Sequence, residues 1–312
     1  MSPSTVLKPD PLRARFVERV TAKFARHVPD FVALQELVAQ NGGTFRNDHG
    51  AIRTADPALR DLFVRAAAVL GLQRELDYEF PAKKLVSFDL QVPGEDASQF
   101  KIFVSQVDLA AFPKAVAQLI REDCAAQSGA VDHKQFLRLI DAAEKNGGLR
   151  EKDADTFIGH FVDRLMHRNG PPLKRSTLEA VAGISGEAAS ALALGPDFNH
   201  VTIDVRSAGF PGIEAMAQAM KSAGFRLLPE IQGAPGSKLR QTATLAATIN
   251  TPVLEDDGRS GHAATERQFV EIIERGEIPG PRGRKLVFRS FLAANAEKIF
   301  DAASTRSSRQ RM

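Results

Sequence analysis

The chain has 312 residues, 43% of them hydrophobic and 25% charged, with a formal net charge of +3. That composition suits an ordinary soluble globular protein, and the charge is too small to argue for a nucleic-acid partner. One cysteine, Cys124, excludes a disulfide framework and a multi-cysteine metal site and fits a reducing cytoplasm. No run of about 18 apolar residues offers a membrane span.

The first elements read as helices. Phe16, Val20 and Phe24, then Phe31, Leu34, Leu37 and Val38, recur at three- and four-residue spacing around Pro29, and Gly42-Gly43 ends the pair. Thr44 to Thr54 then reads as a strand. Asp56 and Pro57 open a helix to Leu70, with Leu59, Leu62, Phe63 and Ala66 as its apolar stripe and Gly71 as its stop. Leu72 to Phe80, Leu85 to Val92 and Phe100 to Asp108 read as three strands.

Residues 109–193 look helical, in three or four pieces separated by Gly147-Gly148 and Gly170-Pro171-Pro172. Beyond Gly195-Pro196 the first order returns. Phe198 to Arg206 is a strand and Pro211 to Ala223 a helix; Phe225 to Ile231, Lys238 to Thr248 and Arg267 to Arg275 are strands. Asn250 to Thr265 reads as a long polar loop, in which His262 could belong to a lid. Leu286 to Ala303 reads as a closing amphipathic helix.

The fold class is therefore α+β: two strand–helix–three-strand modules, suggesting a duplication, with a helical insertion. The expected divisions are 1–108 (N-terminal helices and first module), 109–196 (insertion), 197–303 (second module) and a disordered tail at 304–312. Phe103-Val104-Ser105 can be laid over Phe269-Val270-Glu271 as equivalent strands.

Of seven histidines, His49 and His200 stand out because each sits on the first strand of a module. In Phe198 to Val205, period two puts Val201, Ile203 and Val205 on one face and His200, Thr202 and Asp204 on the other. The same alternation pairs His49 with Arg53, about 13 Å apart along the strand. Glu271 shares a face with Phe269 and Ile273. Two imidazoles and a carboxylate held on strands, with positions left over, suit non-haem Fe(II). The blander alternative makes the histidines satisfied polar residues, Glu271 a surface acid and Arg53 the partner of a neighbouring acid. Gln232 to Gly236 lacks the Gly-Lys-Ser/Thr of a phosphate loop, and no Gly-x-Ser-x-Gly elbow is present.

Asp48-His49-Gly50-Ala51-Ile52-Arg53-Thr54 resembles the signature of the 2-oxoadipate dioxygenase/decarboxylase family. Asn199 to Thr202, Leu239 to Thr242, Lys101 to Ser105, and Phe269 to Ile272 followed by Arg275-Gly276 also resemble it, across about Phe16 to Ala303. The resemblance implies a vicinal-oxygen-chelate-like fold, in which paired modules form a metal-holding cup. It implies Fe(II) on His49, His200 and Glu271, and Arg53 as carboxylate anchor. Gln241, which alternation sets opposite Arg240 and Thr242, is a candidate substrate hydrogen-bonder.

The implied reaction is oxidative decarboxylation of a 2-oxo dicarboxylic acid by dioxygen, 2-oxoadipate giving 2-hydroxyglutarate and carbon dioxide. The substrate would chelate the metal through its 1-carboxylate and 2-oxo oxygens. Two alternatives remain: a metal-dependent lyase or isomerase using the metal as Lewis acid, and a non-catalytic binding protein whose insertion is the working surface.

Overall fold

The computed structural model describes residues 5–266 and 268–300. The expected tail at 304–312, and the end of the expected closing helix, lie outside the described residues.

One seven-stranded sheet organises the molecule. Its strands are β1 (Asn47–Thr54), β2 (Gln73–Phe80), β3 (Leu85–Gln91), β4 (Lys101–Val107), β5 (Phe198–Asp204), β6 (Leu239–Ala243) and β9 (Phe269–Arg275), in the order β2-β3-β4-β1-β5-β9-β6. A separate hairpin of β7 (Thr248–Leu254) and β8 (Ser260–Glu266) stands between the last two. The helices are α1 (Pro9–Ala25), α2 (Pro29–Gln40), α3 (Pro57–Val69), α4 (Lys114–Ser128), α5 (Lys134–Asn146), α6 (Glu151–His160), α7 (Arg175–Ala182), α8 (Gly186–Leu194), α9 (Ile213–Ser222) and α10 (Ala293–Ile299).

Local chemistry starts and stops these elements. The Asp56 carboxylate accepts from the backbone N–H groups of Ala58 and Leu59, with Pro57 at the first turn of α3. Gly71 ends the helix at φ +80°. Gly50 is required for a packing reason: a Cβ there would lie 2.4 Å from the Phe198 ring.

The sheet centre is built about a pseudo-two-fold axis. β1 and β5 are antiparallel, and His49 pairs with Thr202 while Ala51 pairs with His200. Exchanging 49 with 200 and 51 with 202 leaves those pairs unchanged. Each central strand has a parallel outer neighbour, β4 beside β1 and β9 beside β5. The register makes Phe103, opposite Ala51, the counterpart of Glu271, opposite Thr202. The overlay of Phe103 on Phe269 is thus two residues out of register. One module carries an aromatic ring where the other carries a carboxylate.

The two faces are covered differently. α1, α2, α3, α5, α6 and α9 bury one face through Phe16, Phe31, Phe63, Phe136, Phe157 and Met216, against Ile52, Ile102, Val104, Val201, Ile203, Val270 and Ile272. α4, α7, α8 and the hairpin cover the other through Ile120, Val181, Ala188, Leu192 and Val253. Helices of the 109–196 stretch therefore reach both faces. That stretch holds five of the ten helices, more than the three or four expected.

Three expectations need correction in the second module. The expected strand 225–231 makes one isolated bridge, Leu227 to Thr244, with a second just beyond it, Gln232 to Gln241; Pro229 lacks the N–H that a continuous ladder needs. The expected loop 250–265 is the β7–β8 hairpin, whose polar residues alternate with buried Thr251, Val253 and Ala263. His262 is an exposed strand residue opposite Pro252, not part of a loop lid. Among the described residues, the expected closing helix is α10. Before it, Lys285–Val287 pairs with Glu277–Pro279, and the Arg275 guanidinium donates to the Phe288 and Ser290 carbonyls at 3.0 and 2.9 Å.

Candidate metal centre

His49 and His200 come from the two antiparallel central strands, and Glu271 from the strand beside His200. Pleat alternation turns all three to the face away from the large apolar core. One ligand-type atom from each lies within 4.8 Å of the others, and all three residues are buried. The His200 Nε2 is 3.3 Å and the His49 Nε2 3.7 Å from Glu271 Oε2.

The ring of His49 is oriented from behind. Its Nδ1 lies 2.8 Å from Asp48 Oδ1, which places the imidazole proton on that side and the Nε2 lone pair toward Glu271. Asp48 is gripped in turn by Arg275, whose Nε and Nη2 each donate at 2.7 Å, and it faces Lys101 Nζ at 3.5 Å. Burial opposes the Asp48 charge. Arg275 and Lys101 outweigh it, so its carboxyl sits well below the ordinary range. Such a carboxylate–histidine pair is the usual support behind a metal-ligating imidazole.

The electrostatics leave lone pairs in the centre. Burial lowers the His49 pKa, only partly offset by Asp48. Burial, then the proximity of His49 and Arg53, lowers that of His200 well below its ordinary value. Both rings are therefore neutral. Burial, with the Asp48 charge behind it, pushes the Glu271 carboxyl up to about 8. The Thr202 hydroxyl is 3.0 Å from His49 Nε2 and 3.3 Å from Glu271 Oε2, one proton between two acceptors. Glu271 Oε1 and His200 Nδ1 are buried without hydrogen-bond partners. Burial resists ionising Glu271 at this spot, and a cation held between its carboxyl group and the two neutral imidazoles would take the place of the carboxyl proton; two imidazoles with one carboxyl group are a donor set for a divalent transition metal. The Phe291 and Phe269 rings lie 4.8 Å from the His49 and His200 rings, so the surroundings are apolar.

Arg53 lies on the same face, buried, with its Nη1 2.7 Å from Glu187 Oε2 of α8. The blander alternative for Arg53, an acidic partner, is thus present. Gln241 is buried on the same face as Glu271, paired with Ile273, whereas Arg240 on the opposite face pairs with Glu214 and Glu274.

Sequence reasoning placed Thr202 on the His200 face without giving it a role, and missed Asp48, Lys101, Arg275 and Glu187 as members of the site. Strict alternation turns Asp48 away from His49. A bulge between Asn47 and His49 turns it to the same side, and the residue's only signal was its place beside the histidine.

Residues 14–311 match the family model for 2-oxoadipate dioxygenase/decarboxylase. A protein of that name from Pseudomonas putida is 24% identical, over 92% of this chain and 67% of its own length. Another from Mycobacterium bovis is 23% identical, over 96% and 78%. Among solved structures, a protein assigned to the glyoxalase superfamily from Ralstonia eutropha superposes with a TM-score of 0.79 at 20% identity, covering 93% of this chain and 90% of that one. The hydroxyglutarate synthase of Oryza sativa, solved with 2-oxoadipate, superposes with a TM-score of 0.72 at 19% identity, covering 99% and 98%. The fold is accordingly vicinal-oxygen-chelate-like. With the match running through both modules and the insertion, the chain belongs to the 2-oxoadipate dioxygenase/decarboxylase family.

Proposed function

We propose that the protein is an Fe(II)-dependent dioxygenase that converts 2-oxoadipate and dioxygen to 2-hydroxyglutarate and carbon dioxide. The observation that carries this reading is the convergence of His49, His200 and Glu271, all three buried, with Glu271 Oε1 and His200 Nδ1 left without hydrogen-bond partners. Family membership supplies the reaction, and the 2-oxoadipate bound to the Oryza sativa relative supplies the substrate. Bound there, ferrous iron would supply positions for a chelating 2-oxo acid and a redox-active centre through which electrons from that acid's oxidative decarboxylation reach dioxygen.

The chain's own residues do the rest. Asp48 fixes the His49 tautomer, so its Nε2 faces the metal position. Phe269 and Phe291 wall the histidines with apolar surface, which strengthens electrostatic contacts inside. Arg53 holds the distal carboxylate by charge-assisted hydrogen bonds, and Gln241 hydrogen-bonds the substrate from the β6 side. Among the described residues no helix is long and apolar enough to cross a membrane. With a single half-buried thiol, we place the enzyme in the cytoplasm.

The test is dioxygen uptake and carbon dioxide release with a panel of 2-oxo acids under added Fe(II). The expected result is one dioxygen consumed and one carbon dioxide released per 2-oxoadipate. Zinc-loaded protein should bind the acid and not turn it over, because zinc has no redox chemistry. Comparable turnover without dioxygen, or with zinc, would show a lyase or isomerase instead.

A further inference from the structure

Outside the three candidate ligands, the Arg53 guanidinium is a buried charged group on the same face with an unpartnered donor. It is buried on the cup face, four residues along β1 from His49. A guanidinium offers five N–H donors in a rigid planar fork. Glu187 Oε2 forms an ion pair with Nη1 at 2.7 Å, off the line of a hydrogen bond, and the guanidinium carbon lies 5.2 Å from the centre of the Phe300 ring. The fork is thus fixed at one corner and along one face. Its Nε–H is buried with no hydrogen-bond partner. A buried donor without an acceptor is costly, and such groups are rare unless a ligand completes them.

Glu187 is firmly placed. It lies in the first turn of α8, where the Ser185 hydroxyl accepts from the Ala188 N–H, and an acidic residue is favoured there. α8 packs on β1 through Ala188, Ala191 and Ala51. The insertion therefore sets where Glu187 stands, and Glu187 sets where Arg53 points.

We propose that Glu187 is the positioning residue that fixes the substrate chain length, by pinning one corner of Arg53 so that its Nε edge meets the distal carboxylate at one distance from the metal position. This rests on the function proposed above. Glu187 also cancels the Arg53 charge before substrate arrives. The second carboxylate is then held by hydrogen-bond geometry rather than by net positive charge, so selectivity falls on length more than on charge.

The experiment uses two variants and the five-, six- and seven-carbon 2-oxo dicarboxylic acids, with 2-oxohexanoate as the monocarboxylic control. Binding is measured by calorimetry on zinc-loaded protein, and KM and kcat with Fe(II). Glu187→Asp withdraws the pinning oxygen by about one C–C bond and draws Arg53 toward α8. The optimum should move from six carbons to seven, with the change carried by Kd and KM. Glu187→Gln keeps the shape and uncovers the Arg53 charge. Discrimination between lengths should fall by about tenfold, in keeping with loss of a charge-assisted contact, while 2-oxohexanoate binding stays within about twofold.

Unchanged length preference in both variants, or equal losses for monocarboxylic and dicarboxylic acids, would overturn the assignment. Melting temperatures near that of the wild type show that the variants fold, and the isosteric Gln variant keeps the test decisive if the Asp variant does not. Wild-type protein that binds none of the three dicarboxylic acids would sink the proposed function itself. A failure confined to the variants would leave that function standing and remove only Glu187.

Discussion

The sheet buries both of its faces, with opposite contents. One face presents Ile52, Ile102, Val104, Val201, Ile203, Val270 and Ile272 to six helices. The other buries His49, Arg53, Lys101, His200, Thr202 and Glu271, with Asp48 beside them. Burying apolar chains is favourable in itself, whereas buried charged and polar groups must be paired. On the polar face the pairing is thorough at the margins. Asp48 has Arg275 and Lys101, and Arg53 has Glu187. Hydrogen bonding is incomplete at Glu271 Oε1 and His200 Nδ1 in the centre, at Arg53 Nε and Glu187 Oε2 beside it, and at a few amide oxygens farther out such as Gln91 Oε1. The contrast separates what holds the fold from what acts: the apolar face is complete in itself, and the polar face brings together three metal-ligand types whose remaining atoms a ligand can complete.

The strongest way to break the comparison is to empty the centre. His49→Ala and His200→Ala should each abolish iron retention and cut turnover by more than about 100-fold, beyond what losing an outer partner of a metal ligand costs. The folded state should persist, since neither ring belongs to the apolar core. Metal content by elemental analysis, dioxygen uptake and the melting temperature check this together. Full activity in either variant would remove the site.

Asp48→Asn tests a residue that belongs to both roles. It should lower metal affinity about 10–100-fold, because His49 loses the partner that fixes its tautomer. It should also cost about 3–5 kcal/mol of stability, because Arg275 and Lys101 stay buried without their counter-charge. Metal titration and denaturant unfolding read the two effects separately. A loss of stability alone would make Asp48 a structural counter-ion only.

Ile203→Ala sharpens the other side. Ile203 is fully buried next to Thr202 in sequence but faces the helices. Truncation should destabilise by about 2–5 kcal/mol through lost burial and a cavity. Metal affinity should be unchanged. A large fall in affinity would mean that the two faces are not independent.

The two faces were also unequally legible. Period two alone separates Val201 and Ile203 from His200 and Thr202, so the strands and both histidines could be read directly, and Asp56-Pro57 and Gly71 announced α3. What escaped depended on departures from periodicity or on distance. A bulge carries Asp48 to the face of His49. Glu187 reaches Arg53 from an insertion helix more than a hundred residues away in sequence. The β7–β8 hairpin read as a loop because its strands are half exposed and rich in threonine and small residues, and the turn between them is charged, a composition that loops share. The overlay of Phe103 on Phe269 failed because matching residue types fixed the register where hydrogen-bond pairing should have.

The smallest expected effect is also the most selective. Arg53→Lys keeps the positive charge and the pairing with Glu187 but replaces a planar fork by a single ammonium. Lysine can satisfy Glu187 or approach a substrate carboxylate, and its head lacks the fixed second edge that the Arg53 Nε provides. Use of dicarboxylic 2-oxo acids should weaken by about tenfold relative to monocarboxylic ones, the scale of one lost charge-assisted hydrogen bond. Iron binding should barely change, because Arg53 lies outside the group of His49, His200 and Glu271. Arg53→Ala should extend the loss in the same direction. The measurement is the ratio of kcat/KM for 2-oxoadipate to that for 2-oxohexanoate, with iron content determined on the same samples. An unaltered ratio would return Arg53 to the paired, structural part of the face and leave the distal carboxylate to another group.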